Sequence, residues 1–334
     1  MIDIRQTPKY AKYLRKTGWI VEDVNHTCCF VKKLPVLGAI IKVQRPETIP
    51  FKKIEGLAKK YHAFQTIIEP KRDFDAKFLI ASGLKLSKNP YLPTKTLQLD
   101  LTKTQNELFS QLKKDAKQAI RKGEELEIIN CKPEDIEKFR EGWKRAVGWK
   151  RYVSPLLHLK ALKKTFGKNA LFLKTKDNSS GAIFLLGNKI AYYWQAFTAK
   201  SGRKSLAQYK IVWEGILWAK KHGTKIFDFE GIYDNRFPHK SWSGFSHFKK
   251  SFGGYELEYP GAFVKGNINI KGPFIVGVVL LLLALNWAAL DDITTGHEPN
   301  YWMEYDVLLF SIIIFGIIIY TKFTDIKQWI AKKL

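Results

Sequence analysis

Ser205–Ile232, SLAQYKIVWEGILWAKKHGTKIFDFEGI, decides the fold class. Ser205–His222 has helical spacing, Gly223 closes the helix, and Lys225–Glu230 follows at once as an apolar strand. The same helix–strand alternation runs outward in both directions. Downstream, Trp242–Phe252 reads as a short helix and Tyr255–Tyr259 as a closing strand. Upstream, strands are expected at Leu171–Lys176, Gly181–Leu186 and Lys189–Phe197, after helices at Glu134–Val147 and Pro155–Phe166. Pro133 opens this second round.

The first round is read in the same way. Thr27–Lys33, Ala39–Val43, Ala63–Ile68, Thr96–Leu101 and Glu125–Cys131 have strand character, and Ile49–Tyr61 has helical spacing. Thr104-x-x-Glu107 matches a capping box. The helix it opens carries Leu108, Leu112, Ala116, Ala119 and Ile120 on one face, with Gly123 as its stop. Two α+β units in tandem, 1–132 and 133–265, are therefore expected.

From Lys271 onward the sequence changes character. Pro273–Leu290 (PFIVGVVLLLLALNWAAL) is uncharged over 18 residues and Val307–Thr321 over 15, the second reaching 305–322 if Tyr305 and Lys322 sit at interfaces. A membrane span needs roughly 20 apolar residues, so two C-terminal transmembrane helices are expected. No Lys or Arg lies between Gly272 and Thr321, whereas Lys265, Lys271, Lys322, Lys327, Lys332 and Lys333 flank the pair. Positive charge stays on the cytoplasmic side. Both termini and the large domain are thus expected in the cytoplasm, at the inner face of a bacterial membrane. The opening MIDIRQTPKY contains no apolar signal segment. Three cysteines, two of them adjacent (Cys28, Cys29), make neither a disulfide framework nor a metal spacing.

Of 56 Lys and Arg, 51 precede residue 271, against 25 of 31 Asp and Glu, a net of +26 on the large domain. Such a field favours polyanions: RNA, anionic lipid headgroups or pyrophosphate-bearing substrates. There is no Walker A loop, no GxGxxG after a strand, no HExxH and no GxSxG. The Gln/Arg-x-x-Gly-x-Gly/Ala loop that holds coenzyme A pyrophosphate is also missing, which argues against an acyl-CoA donor.

Five segments, in order, resemble the FemABX family, whose members attach amino acids from aminoacyl-tRNA to the peptidoglycan stem peptide. They are Ala63–Pro70; Pro93-x-x-Thr96-Leu97-x-Leu99-Asp100-Leu101; Lys117-x-x-Ile120-Arg121-Lys122; Trp213–Ile232; and Phe245-x-x-Phe248-Lys249-Lys250-x-Phe252-Gly253-Gly254 with Glu258-Tyr259-Pro260-Gly261. Gln44-Arg45-Pro46 stands where the family has Pro-Arg-Gly-Pro, and Phe229-Glu230-Gly231 where Gly-Gly is common. No helical arm interrupts either unit, so the chain resembles the arm-less type.

The resemblance implies an α+β fold of two tandem GNAT (acetyltransferase-like) domains, with no metal or redox cofactor. It implies aminoacyl-tRNA and a peptidoglycan precursor, lipid-linked in view of the expected anchor, as partners. Lys249 would stabilise the developing oxyanion, with Phe248 beside it. Asp100, ending a strand, is either the base or amine-positioning carboxylate or the cap of a turn before Thr102. Arg203, Lys204 and Lys33 would bind precursor phosphates. The stripe Lys113, Lys114, Lys117, Arg121 and Lys122 suits an RNA backbone, as it would suit a solvated helix face. Trp143, Trp149, Trp194 and Tyr193 read as core. Two other readings stay open: a same-fold transferase acting on lipid headgroups or exopolysaccharide, and a non-catalytic scaffold docking RNA or membrane.

Overall fold

Thr7 caps and Pro8 opens α1 (Pro8–Lys16), the threonine Oγ1 accepting from the Tyr10 backbone N–H. A computed structural model describes this helix and the rest of residues 1–34, 38–149, 151–238 and 242–266. Both apolar C-terminal runs lie outside the described residues. Among the described residues, no helix is long and apolar enough to cross a membrane.

The first sheet is built from β1 (Ile20–Val24), β2 (Thr27–Leu34), β3 (Gly38–Gln44), β4 (Ala63–Glu69) and β5 (Lys85–Leu86), with α2 (Phe51–Lys60) and α3 (Asp73–Ala81) between them. Next come β6 (Lys95–Asp100), α4 (Gln105–Ser110), α5 (Lys114–Lys122), β7 (Ile128–Asn130), α6 (Ile136–Val147) and α7 (Leu156–Phe166). The chain continues through β8 (Ala170–Thr175), β9 (Ser180–Gly187), β10 (Ile190–Thr198), α8 (Lys200–Lys204), α9 (Ala207–Lys221) and β11 (Ile226–Asp228). It closes with α10 (Ser243–Lys250), β12 (Tyr255–Glu258) and β13 (Phe263–Gly266).

The α+β class expected from the sequence is the one observed. The expected boundary at 132/133, however, does not follow the sheets. Six strands in the order β1-β2-β3-β4-β13-β5 form one sheet, and seven in the order β12-β6-β11-β10-β9-β8-β7 form the other. Each sheet contains one parallel pair, β3 with β4 and β10 with β11. Beyond that pair each accepts an antiparallel strand from the other end of the chain: β13 beside β4, and β6 beside β11. The two units have exchanged a strand, so neither sheet closes on a continuous stretch of sequence.

The second sheet is covered on both faces. Leu97, Leu99, Phe184, Phe227 and Phe229 pack with Leu108, Ile120, Ile211 and Ile216 on one side. Phe172, Ile183, Leu185 and Tyr192 pack with Ile4, Leu14, Phe139 and Leu159 on the other. Each large apolar side chain so buried contributes roughly 1.5–3 kcal/mol. Gly215 on α9 permits the close approach: a Cβ there would lie 2.4 Å from the Phe184 ring.

The long helix expected from Thr104 to Gly123 is two helices. The capping box at Thr104 and Glu107 is present, but Lys113 is extended and its N–H donates to Ser251 O at 2.8 Å. That tertiary bond takes the donor a continuous helix would have used.

Candidate active site

The parallel ladder between β10 and β11 has only three rungs, the last joining Tyr192 to Asp228. A bulge at Trp194 then shifts the register of β10 against β9. After Asp228 the chain turns away, with positive φ at Glu230 (61°) and Gly231 (142°). At Gly231 a Cβ would meet Pro93 and Trp242 within 2.9 Å, so glycine is required there. β10 runs on to Thr198 without β11 beside it, and a cleft of about 760 Å³ opens in the gap. Tyr193–Thr198 form one wall, Glu230 and Gly231 another, the start of α9 a third, and Trp242, Phe245, Phe248 and Lys249 the floor.

Lys249 is buried at that floor. Its Nζ donates to Phe229 O at 2.7 Å and Gly231 O at 2.5 Å, and so holds the turn that makes the cleft. An ammonium has three donors, which leaves one for a ligand. Burial lowers its pKa to about 8, while Glu230 and then Asp228 oppose the shift. The side chain is therefore still charged at neutral pH and close to its titration point. Phe248 packs edge-on against Tyr209 at 4.7 Å and Phe252 at 5.4 Å, fixing α10 against α9. The glycines of the motif have a structural cause. Gly253 and Gly254 have φ of 82° and 93°, and a Cβ on Gly254 would lie 2.3 Å from Gln98 O.

Glu230 is the only carboxylate lining the cleft among the described residues. Its Oε2 accepts from Arg5 at 2.7 Å. Arg5 also pairs with Asp3 at 3.1 Å, and Asp3 pairs with Arg45 at 3.3 Å. The Arg45 guanidinium lies 3.7 Å from the centre of the Tyr259 ring and donates to Pro93 O. Arg5 sits 4.9 Å from the Trp194 ring. This buried chain of alternating charge ties the N-terminus and the first sheet to the cleft wall. Beneath it, Asp228 accepts from Thr96 Oγ1, Gln98 Nε2 and the Glu230 N–H at 2.5–2.7 Å. Burial raises its pKa. None of Asp3, Arg5, Arg45, Asp228 and Glu230 was assigned a role from the sequence. Asp228 and Glu230 stood in the Trp213–Ile232 segment, but the side chains that bond them, from Arg5, Thr96 and Gln98, lie 130 or more residues away.

The structure brings together Lys249, Phe248 and Arg203 and leaves the other expected site residues elsewhere. Arg203 lines the cleft and donates to Thr198 O at 2.9 Å, while Lys204 next to it is exposed and outside the lining. Asp100 does not line the cleft. Its Oδ1 accepts from both the N–H and the hydroxyl of Thr102, which makes it the cap of a turn after β6. Lys33 is on the first sheet, its Nζ 5.6 Å from the Tyr61 ring, and is not a cleft residue. On α5 and its cap Lys113, Lys114, Arg121 and Lys122 face solvent, and the half-buried Lys117 donates to Ser110 O. Trp143 and Tyr193 are buried as expected. Trp194 is half-buried in the cleft wall, and Trp149 is exposed rather than core.

The fold and the family match together support a transferase of the acyltransferase type. Residues 158–271, which carry α9, β11, the turn and α10, match the model of the FemAB family. FemX has a similar structure, with a TM-score of 0.65, 15% identity, and coverage of 78% of this chain and 92% of that one. The C-terminal domain of a putative lysylphosphatidylglycerol synthetase from Agrobacterium fabrum gives 0.56 at 10% identity, covering 78% and 88%. L-PGS from Bacillus licheniformis gives 0.53 at 11% identity over the same shares. At these identities the likeness is one of fold. No curated protein sequence matches the chain.

Proposed function

We propose that this protein is an aminoacyltransferase that moves an amino acid from aminoacyl-tRNA to an amine on the stem peptide of a lipid-linked peptidoglycan precursor. In this reading each sheet with its helices is an acetyltransferase-like unit, and the large domain is held at the cytoplasmic face of the membrane by the two C-terminal apolar runs. The observation that carries the proposal is Lys249: a buried ammonium, fixed by two carbonyls, with one donor left at the floor of the cleft.

The amine nitrogen forms a bond to the ester carbonyl carbon, and the carbonyl oxygen becomes an oxyanion. The bond to the ribose oxygen then breaks, and the amine's proton leaves with that oxygen. The chain's part is to bring two substrates together and to meet the oxyanion with a fixed positive charge. Lys249 supplies the charge, and Phe248 and Phe245 keep water from its side of the cleft. Arg203, at the mouth, suits a phosphate of either substrate. The tRNA backbone would lie along the exposed basic face of α5, and Lys204 and Lys33 remain second-rank phosphate contacts.

A second reading is favoured by the fold shared with a putative lysylphosphatidylglycerol synthetase: the same transfer onto a lipid headgroup. One experiment separates the two. Purified full-length protein in detergent is incubated with charged tRNAs and either lipid-linked precursor or phosphatidylglycerol, and the acceptor is weighed by mass spectrometry. A gain on the precursor peptide supports the first reading and a gain on phosphatidylglycerol the second. No gain on either with any aminoacyl-tRNA rejects both.

A further inference from the structure

Helix α3 (Asp73–Ala81) breaks the rule that a surface helix hides its apolar side. Asp75, Ala76 and Leu79 are the residues it buries. Its outward arc is nonetheless apolar as well: Phe74 is 76% exposed, Ile80 57% and Phe78 45%. Leu86, in the short strand that follows, is 49% exposed. Scattered apolar side chains on a surface need no explanation, but a contiguous group on one helix and the adjoining strand marks an interaction surface. Lys77 lies within the same arc, and Lys85 and Lys88 border it, all exposed.

The position of this patch says what covers it. β5, which carries Leu86, pairs with β13, and the register sets Phe263 opposite Leu86 and Val264 opposite Lys85. β13 ends at Gly266, and Pro273, the first residue of the 18-residue apolar run, is seven residues further on. Seven residues span at most about 25 Å. Wherever that run enters a bilayer, the edge of the first sheet bearing α3 is tethered within that distance of its surface. Phe and Ile ringed by lysine is the composition that settles into the headgroup boundary of an anionic membrane.

We propose that the outward face of α3, with Leu86, is a membrane-docking surface. It inserts Phe74, Phe78 and Ile80 at the interface of an anionic leaflet, with Lys77, Lys85 and Lys88 meeting the headgroups. The surface orients the large domain on the bilayer. This inference rests on the reading of the C-terminal runs as membrane-inserted.

The test uses the full chain in vesicles with an environment-sensitive label on a single introduced thiol, the native cysteines among the described residues all being buried. Phe74→Cys and, separately, Ile80→Cys are compared with Trp149→Cys, a residue 93% exposed beyond the end of α6. In phosphatidylcholine vesicles containing phosphatidylglycerol, labels at 74 and 80 should be quenched by spin-labelled lipid and protected from iodide. The label at 149 should show the reverse. Omitting phosphatidylglycerol, or combining Lys85→Glu with Lys88→Glu, should weaken the lipid quenching severalfold. Free access of iodide at 74 and 80 would overturn the proposal, because the face would then be in water. Protection from both quenchers would also overturn it, since protein would then cover the face. Failure of the chain to float with vesicles at all would instead reject the membrane reading of the C-terminal runs, and the proposal with it.

Discussion

The two sheets place a parallel pair beside a strand borrowed from the other end of the chain, and they part company at the end of that pair. In the first sheet, β3 and β4 pair from Ala39–Ala63 to Gln44–Glu69, and the ladder finishes closed. Gln44 Nε2 bonds Glu69 Oε2 across it, and the next residue, Arg45, fills the space beyond with its side chain under the Tyr259 ring. In the second sheet the equivalent ladder stops after three rungs and the space beyond is the cleft. The same topology thus yields a plug in one unit and a cleft in the other. What separates them is the chain leaving each pair: after β3 Arg45, at φ 46°, turns its side chain into the gap, whereas after β11, the counterpart of β4, the turn at Glu230 and Gly231 leads the chain away from it.

The largest expected effect comes from removing the plug. Arg45→Ala would leave Asp3 with only Arg5, take the side-chain donor from Pro93 O, and open a void under Tyr259. Breaking a buried ion pair from one side costs about 3–5 kcal/mol, and urea unfolding should show a loss of that order. A change under about 1 kcal/mol would mean that the first sheet tolerates an opening like that of the second.

Lys249→Met should follow in size. Loss of one fixed oxyanion donor lowers turnover by about 10²–10³, read as the rate of acceptor mass gain with substrate saturating. The variant should fold, because methionine fills the same volume, although the Phe229 and Gly231 carbonyls lose a donor. A rate within about threefold of the parent would remove Lys249 from the chemistry and leave it as the clamp of the turn.

A pH series sharpens the same point without a mutation. The folded pKa of Lys249 is about 8, below an ordinary lysine at about 10.4. The native state gives up this proton first, so between those values the unfolded chain binds more protons and this group's contribution to stability rises with pH. The rate, if it needs the ammonium, falls across a limb centred near 8. Activity and stability moving in opposite directions above that pH is the signature of a buried catalytic cation. A rate that stays flat to pH 10 contradicts it.

The contrast between the units also shows which parts of this molecule a sequence displays. Elements with one clean periodicity were legible: α9 and β11, the β8–β10 meander, α2, and the capping box at Thr104. α3 was not, because its apolar residues go all the way round and no face stands out. β5 and β13 are too short to show alternation, and the exchange of β6 and β13 is a long-range fact with no local trace. α1 carries only a short local signal, Thr7-Pro8 before a helical octet. In the site, Lys249 and Phe248 were legible because chemistry and spacing coincide in one motif. The Asp3–Arg5–Arg45–Glu230 chain was hidden because its members come from three separate parts of the chain.

Asp100 marks the limit of reading by position, and it makes the smallest prediction. A carboxylate at a strand end resembles a catalytic base in sequence, but here it accepts two bonds from Thr102, which lower its pKa. It lies on β6, the strand that the first half of the chain lends to the second sheet, and pairs with Ile226 at the far end of β11 from Glu230. The register therefore carries it away from the turn that opens the cleft. Asp100→Asn keeps an acceptor for the Thr102 N–H, and it should leave the transfer rate within about twofold and the stability within about 0.5 kcal/mol. A loss of rate by an order of magnitude with unchanged stability would mean that the acceptor amine approaches from the β6 side. The cleft beside β10 would then hold only the donor half of the site.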